Sequence, residues 1–175
     1  MNSKRKGNRF ERSVSKWFSD WSGYKFERNR AGSGAWHSNI DAGADITCTD
    51  EKHAHRCKLS IECKSYKDIK FEHTLLGNKG SEIEKFWDQA LRDADRTKKV
   101  PILVMRYNSM PRNEFFIVLD SDVAVNLLST YPKLRYTRYM FMNIPGKTLY
   151  IFMSSKIRDL VDYKYLHKLV KNLLK

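Results

Sequence analysis

Apolar residues fall at helical spacing in several parts of the chain. Across residues 8–21 they occupy Phe10, Val14, Trp17, Phe18 and Trp21, the single buried stripe of an amphipathic helix. Across residues 81–96 they recur at Ile83, Phe86, Trp87, Ala90, Leu91 and Ala94, with Ser81 and Glu84 at the spacing of a capping box. Residues 122–130 predict a shorter helix. Residues 156–174 gather Ile157, Leu160, Val161, Tyr165, Leu169, Leu173 and Leu174 on one side, which predicts one long final helix.

Elsewhere the period is two. In residues 58–64, Leu59, Ile61 and Cys63 alternate with Ser60, Glu62 and Lys64, so Glu62 and Lys64 share a strand face. Residues 43–48 read as a neighbouring strand and residues 49–56 as the hairpin loop between the two, a pairing that sets Asp45 beside Glu62. Residues 24–30 alternate weakly and predict a first strand with Arg28 and Arg30 on one face. The following stretch, residues 31–39, has the composition of a loop; its glycines allow close approach of a phosphate, to which Ser33 can donate. Residues 100–106 and 114–119 predict buried strands, antiparallel after a turn at residues 108–111, and residues 147–154 a further one. Helices and strands in this order predict an α/β (α+β) fold around a mixed sheet.

The chemistry concentrates on one ordered set. Asp45 is followed seventeen residues later by Glu62, and Lys64 stands two residues beyond. Paired carboxylates repel one another and attract a divalent cation, for which oxygen ligands suit Mg2+ or Mn2+. A neighbouring ammonium can orient an attacking water or offset phosphoryl charge. Glu11, about 100° around the helix from Phe10, sits at the rim of the apolar stripe, where it can look into the same site.

Charge supports that reading. The 175 residues hold 33 Lys and Arg against 20 Asp and Glu, a net charge of +13 that favours a polyanionic partner. Acidic lipid or protein would answer the same charge, but carboxylates set within so basic a chain are best explained by a cation lying between them and a phosphate. With 41% apolar residues the chain can bury one substantial core. It reads as a core over residues 1–120 with an extension, residues 121–175, packed on the same domain. No apolar run approaches the ~20 residues that span a bilayer. The basic start leads into a helix rather than a signal-peptide core, and three cysteines suit a reducing compartment, so a cytoplasmic location is expected.

Residues 131–147 contain four basic residues, no acid, and Tyr131, Tyr136, Tyr139 and Phe141, a mixture that suits nucleic-acid contact as well as sheet packing. Two competing readings remain. Cys48, His53, His55 and Cys57 are zinc-ligand types in the loop between the two strands, at a spacing of no common zinc module. A non-catalytic DNA-binding protein would account for the charge and the aromatics while leaving Glu11, Asp45 and Glu62 unexplained.

Taken in order, Lys6-Gly7, Phe10-Glu11-Arg12, Arg28-x-Arg30, Gly32-Ser33-Gly34, Gly43-Ala44-Asp45-Ile46 and Ile61-Glu62-Cys63-Lys64 give the chain a resemblance to the archaeal-type Holliday junction resolvases of the PD-(D/E)xK nuclease superfamily, over about residues 4–107. Residues 86–91 and 99–103 also look like those of small PD-(D/E)xK nucleases carried by bacteriophages. The resemblance implies a restriction-endonuclease-like mixed β-sheet flanked by helices, and a Mg2+-dependent endonuclease, with Mn2+ as a substitute, acting on branched or four-way junction DNA as a homodimer.

By position, it implies Asp45 and Glu62 as metal ligands, with the carbonyl of Cys63 as a third. Lys64 would assist the water, and Glu11 would complete the site. Lys6, Arg28, Arg30, Ser33 and Gln89 would contact DNA. Two departures stand out: Ala44 replaces the proline that often precedes the first aspartate, and the extension beyond residue 120 lies outside the compact archaeal pattern, so that a PD-(D/E)xK endonuclease of restriction, repair or nicking type is the alternative within the superfamily.

Overall fold

The computed structural model describes residues 3–29, 44–76 and 82–175. Arg30, Ser33 and the proposed cap Ser81 lie outside them. Helix α1 (Ser3–Ser22) leads into strands β1 (Phe26–Arg28) and β2 (Ile46–Cys48). A 3-10 turn at Ala54–Arg56 precedes β3 (Leu59–Tyr66), a one-turn α2 (Glu72–Leu75), α3 (Glu82–Thr97), β4 (Val100–Tyr107) and β5 (Phe116–Asp120). The remainder comprises α4 (Ser121–Thr130), α5 (Pro132–Arg135), β6 (Tyr139–Ile144), β7 (Lys147–Met153), α6 (Ser154–Leu160) and α7 (Tyr163–Leu173).

The seven strands among the described residues join one sheet in the order β1-β2-β3-β4-β5-β7-β6. The β3–β4 pair is parallel, as its crossover through α3 requires, and every other pair is antiparallel. Helices cover both faces, so the expected mixed-sheet α+β architecture is the observed one. The strands at residues 139–153 extend the same sheet beyond β5.

Alternation along the strands divides the core in two. Ile46, Ile61, Ile102, Val104, Ile117 and Phe152 face α1, α4, α6 and α7. On the opposite face, Leu103, Met105, Val118 and Ile151 meet Ile83, Phe86, Trp87 and Ala90 of α3. The stripe expected on α1 is buried at Phe10, Val14, Trp17 and Phe18, each side chain contributing about 1.5–3 kcal/mol by leaving water.

The single final helix expected from the pattern is broken in two. Val161 is extended (φ −112°, ψ 127°), and Asp162 caps α7 by accepting from the Lys164 backbone N–H at 2.9 Å. The apolar spacing runs through the break, which hides it; Asp162 is the signal that marks it. The break aims α7 back at α1, where Trp21 Nε1 donates to the Val161 carbonyl at 2.9 Å and the Trp21 ring meets Tyr163 edge-on.

Candidate active site

The register of β2 against β3 pairs Ile46 with Ile61 and so makes Asp45 the antiparallel neighbour of Glu62. The Asp45 backbone N–H donates to the Ile61 carbonyl at 3.0 Å, and Asp45 Oδ2 accepts from the Cys63 N–H at 2.9 Å. Asn29, the residue after β1, holds the same segment: its N–H donates to the Asp45 carbonyl at 2.7 Å and its Nδ2 to the Ala44 carbonyl at 3.1 Å. Backbone and side chain of Asp45 are therefore both fixed.

Glu62 and Lys64 emerge on the α3 face, as the period of two requires. Glu62 is only 2% exposed. Its Oε1 accepts from Lys64 Nζ at 2.6 Å and from Gln89 Nε2 at 2.7 Å, while Gln89 Oε1 accepts from Lys64 Nζ at 2.8 Å. Lys64 Nζ also lies 5.8 Å from the centre of the Phe86 ring, on the same helix as Gln89. The second carboxylate oxygen, Glu62 Oε2, is buried with no hydrogen-bond partner.

Electrostatics follow from that packing. Burial, and then the charge of Asp45, push the Glu62 carboxyl up to about 7 against the opposing pull of Lys64. Burial likewise raises Asp45, with the nearby charge of Glu11 adding to it and the Cys63 N–H opposing it. Two adjacent carboxylates held above their ordinary range, one with an unused buried oxygen, have the donor chemistry of a hard divalent cation. Among the described residues no group of three or more His, Cys, Asp and Glu is gathered as a metal cage, so Asp45 and Glu62 stand as a pair. A pair suits Mg2+, which binds through one or two carboxylates and keeps several waters.

Glu11 reaches the rim from α1. Its Oε2 is ion-paired with Arg28 Nε, and Arg28 Nη2 donates to Asn8 Oδ1 at 2.7 Å. A Cβ at Gly7 would lie 3.7 Å from Glu11 Oε1, an ordinary contact, so the Lys-Gly start does not owe its glycine to steric need at this carboxylate. Lys6 Nζ donates to the Tyr66 carbonyl at 2.9 Å, at the far end of β3. Partial desolvation, aided by the charge of Arg106, lowers its pKa.

The structure thus brings Asp45, Glu62, Lys64 and Gln89 together, sets Glu11 with Arg28 at their edge, and places Lys6 at the end of the same strand. Pattern reading did not single out Asn8 and Asn29, which position these groups, and read Phe86 only as part of the apolar stripe of α3. Asn8 stands three residues before Glu11, on the same side of the helix, and that spacing was the available signal.

The loop residues proposed for zinc are differently engaged. His53 stacks on Tyr24 at 3.8 Å between ring centres, and its Nε2 lies 3.1 Å from the Tyr163 hydroxyl. His55 Nε2 accepts from Arg56 Nε at 3.1 Å. Cys48 and Cys57 are buried and free, and the hydrogen bond from Cys48 brings the Cys57 thiol down to about 7.

Comparison with known proteins supplies the lineage. Protein D14 of Escherichia phage T5 is 30% identical over 131 residues, spanning 74% of this chain and 79% of that protein. No solved structure gives a significant match. The sequence model of the family described as "Phage putative PDDEXK endonuclease" matches residues 2–164, nearly the whole chain, and all of the carboxylates and the lysine described above fall inside it. The chain belongs to this phage endonuclease family and is a nuclease of the PD-(D/E)xK type.

Proposed function

We propose that the protein is a divalent-cation-dependent DNA endonuclease that resolves four-way junctions or other branched DNA, acting as a homodimer. The observation that carries the chemistry is the unpartnered, buried Glu62 Oε2 beside Asp45, with Lys64 and Gln89 tied to the other oxygen of the same carboxylate. Asp45 and Glu62 would hold Mg2+, with Mn2+ as a substitute, and the Cys63 carbonyl and Glu11 would complete the set directly or through water. When bound, such an ion activates water and neutralises charge on the phosphate.

The chain's own groups do the rest. Lys64, fixed between Glu62 and Gln89, presents an ammonium that orients the attacking water and offsets charge on the phosphoryl oxygens. Gln89 sets the direction of that ammonium from the rigid helix α3. Arg28 holds Glu11 at the rim, and Arg28, Arg30, Lys6 and Ser33 contact the DNA backbone. The branched-substrate part of the reading rests on the resemblance to resolvases, in which two symmetric nicks call for two copies of the site.

The test is cleavage of matched-sequence four-way junction, flap, single-strand and linear duplex DNA in Mg2+, Mn2+ or chelator, with Glu62→Gln as the control. Paired symmetric nicks in the junction alone establish a resolvase. Equal cutting of every substrate leaves a general endonuclease, and inertness with tight binding returns the reading of a non-catalytic DNA-binding protein.

A further inference from the structure

From the opposite end of the sheet we infer a second nucleic-acid site: strand β6 and the turn before it form a platform on which unpaired bases stack. Aromatic rings are laid out there in the open. Tyr136 is 90% exposed, Phe141 59% and Tyr139 37%, although each stands in or next to a regular element. Tyr139 and Phe141 share one face of β6 and lie over Tyr150, with ring centres 6.2 and 5.7 Å apart, above the fully buried Phe152. Rings at alternate positions of a strand, backed by a rigid second row, form the sheet-borne stacking surface that single strands favour.

Charge identifies the occupant. Residues 123–158 contain six Lys and Arg and not one Asp or Glu. Lys133, Arg138 and Lys147 flank the rings, are exposed, and enter none of the ion pairs among the described residues. Strand β6 is an outer strand of the sheet and carries no charged residue of its own, leaving the edge without the guard that soluble proteins usually place there. Pairing two copies through it would bring two all-basic borders together. A nucleic-acid strand would neutralise the border and cover the rings at once.

The platform shares its sheet with Glu62 but lies on the other face, Tyr139 and Phe141 standing on either side of Met140 and pointing away from the α3 face. Glu62, Leu103, Val118, Ile151 and Met140 succeed one another in a single row across the sheet, four strand spacings or roughly 19 Å from the carboxylate to the edge. An unpaired arm that rounds the β6 edge onto these rings can therefore belong to the same molecule that is cut at Glu62. This inference rests on the nuclease reading for that connection, but not for the binding itself.

The test is fluorescence anisotropy of a labelled single-stranded DNA oligonucleotide and of its duplex, in chelator, for the parent, Phe141→Ala, Tyr136→Ala, Phe141→Trp and Glu62→Gln proteins. Each alanine variant is expected to weaken single-strand binding about tenfold, with duplex affinity little changed. Phe141→Trp and Glu62→Gln are expected to retain single-strand affinity. Unchanged single-strand affinity in both alanine variants overturns the platform, even if the parent cuts DNA. Unchanged affinity together with loss of a dimer in Phe141→Ala overturns it in favour of an interface between copies. Weakened single-strand binding in the alanine variants, with a parent that cuts no substrate, sustains the platform and refutes the nuclease reading alone.

Discussion

Lys64 and Gln89 are bound to each other and, by separate hydrogen bonds, to the same oxygen of Glu62. The triangle joins a strand to a helix, so the direction of the ammonium is set by α3 and not by β3 alone. It also concentrates the bonding of Glu62 on Oε1 and leaves Oε2 unused.

Gln89→Ala removes one corner of this triangle without altering charge. Cleavage is expected to fall by roughly tenfold to a hundredfold, the worth of a hydrogen bond to a charged group, while affinity for DNA in chelator stays at the parental level. Single-turnover rates alongside binding curves check this. Equal losses in rate and affinity would make Gln89 a DNA contact instead.

Charge-removing changes at Asp45, Glu62 and Lys64 are expected to abolish measurable cleavage, with Lys64→Met losing at least about 10²–10³-fold. Folding should survive. At about pH 8 the cation-free Glu62→Gln protein is expected to melt no lower than the parent, since the substitution removes a buried acid whose ionised form is disfavoured. A folded Glu62→Gln enzyme with full activity would end the assignment.

The pH dependence has a definite sign. Glu62 binds its proton more tightly in the folded protein, with a pKa of about 7, than at its ordinary value of 4.5, and Asp45 is shifted in the same direction. The stability linked to the Glu62 proton is complete below about pH 4.5 and is lost as pH rises through about 7. Divalent cations compete for the same deprotonated oxygens. The rise in melting temperature on adding Mg2+ is therefore expected to be larger at about pH 8 than at about pH 5.5; a pH-independent rise measured by scanning calorimetry would count against metal binding at this pair.

Arg28 is held by Glu11 and Asn8 rather than projecting freely. Both partners of the ion pair are mostly buried, with 27% and 16% of their side chains exposed, so Arg28→Ala is expected to lower stability by about 1–2 kcal/mol, between the values for surface and buried pairs. Comparing Arg28→Ala with Arg28→Lys by urea denaturation, and both by the salt dependence of DNA binding, separates support of Glu11 from contact with phosphate. A reduced salt slope marks the second role.

Most of the site was legible in the sequence because it is built from strand alternation. The period of two in residues 58–64 put Glu62 and Lys64 on one face, and the hairpin reading supplied the register that sets Asp45 beside Glu62. Gln89 was nameable but not placeable: its angle on α3 set it off the apolar stripe, and only the packing of α3 over β3 shows that it meets Glu62. Asn29 was invisible because an amide that braces a backbone leaves no periodic signature, and Asn8 left only its spacing of three residues from Glu11. The broken final helix failed for the opposite reason, its apolar spacing continuing across Val161 and Asp162. Arg30, Ser33 and Ser81 lie outside the described residues.

That break has a consequence for folding kinetics. Trp21, at the end of α1, finds its cover in Val161 and Tyr163, with a separation of 140 positions between Trp21 and its hydrogen-bond partner. The helix that carries Glu11 therefore gains its last packing partner through a contact of high sequence separation, whose loop-closure entropy must be met before the contact repays it.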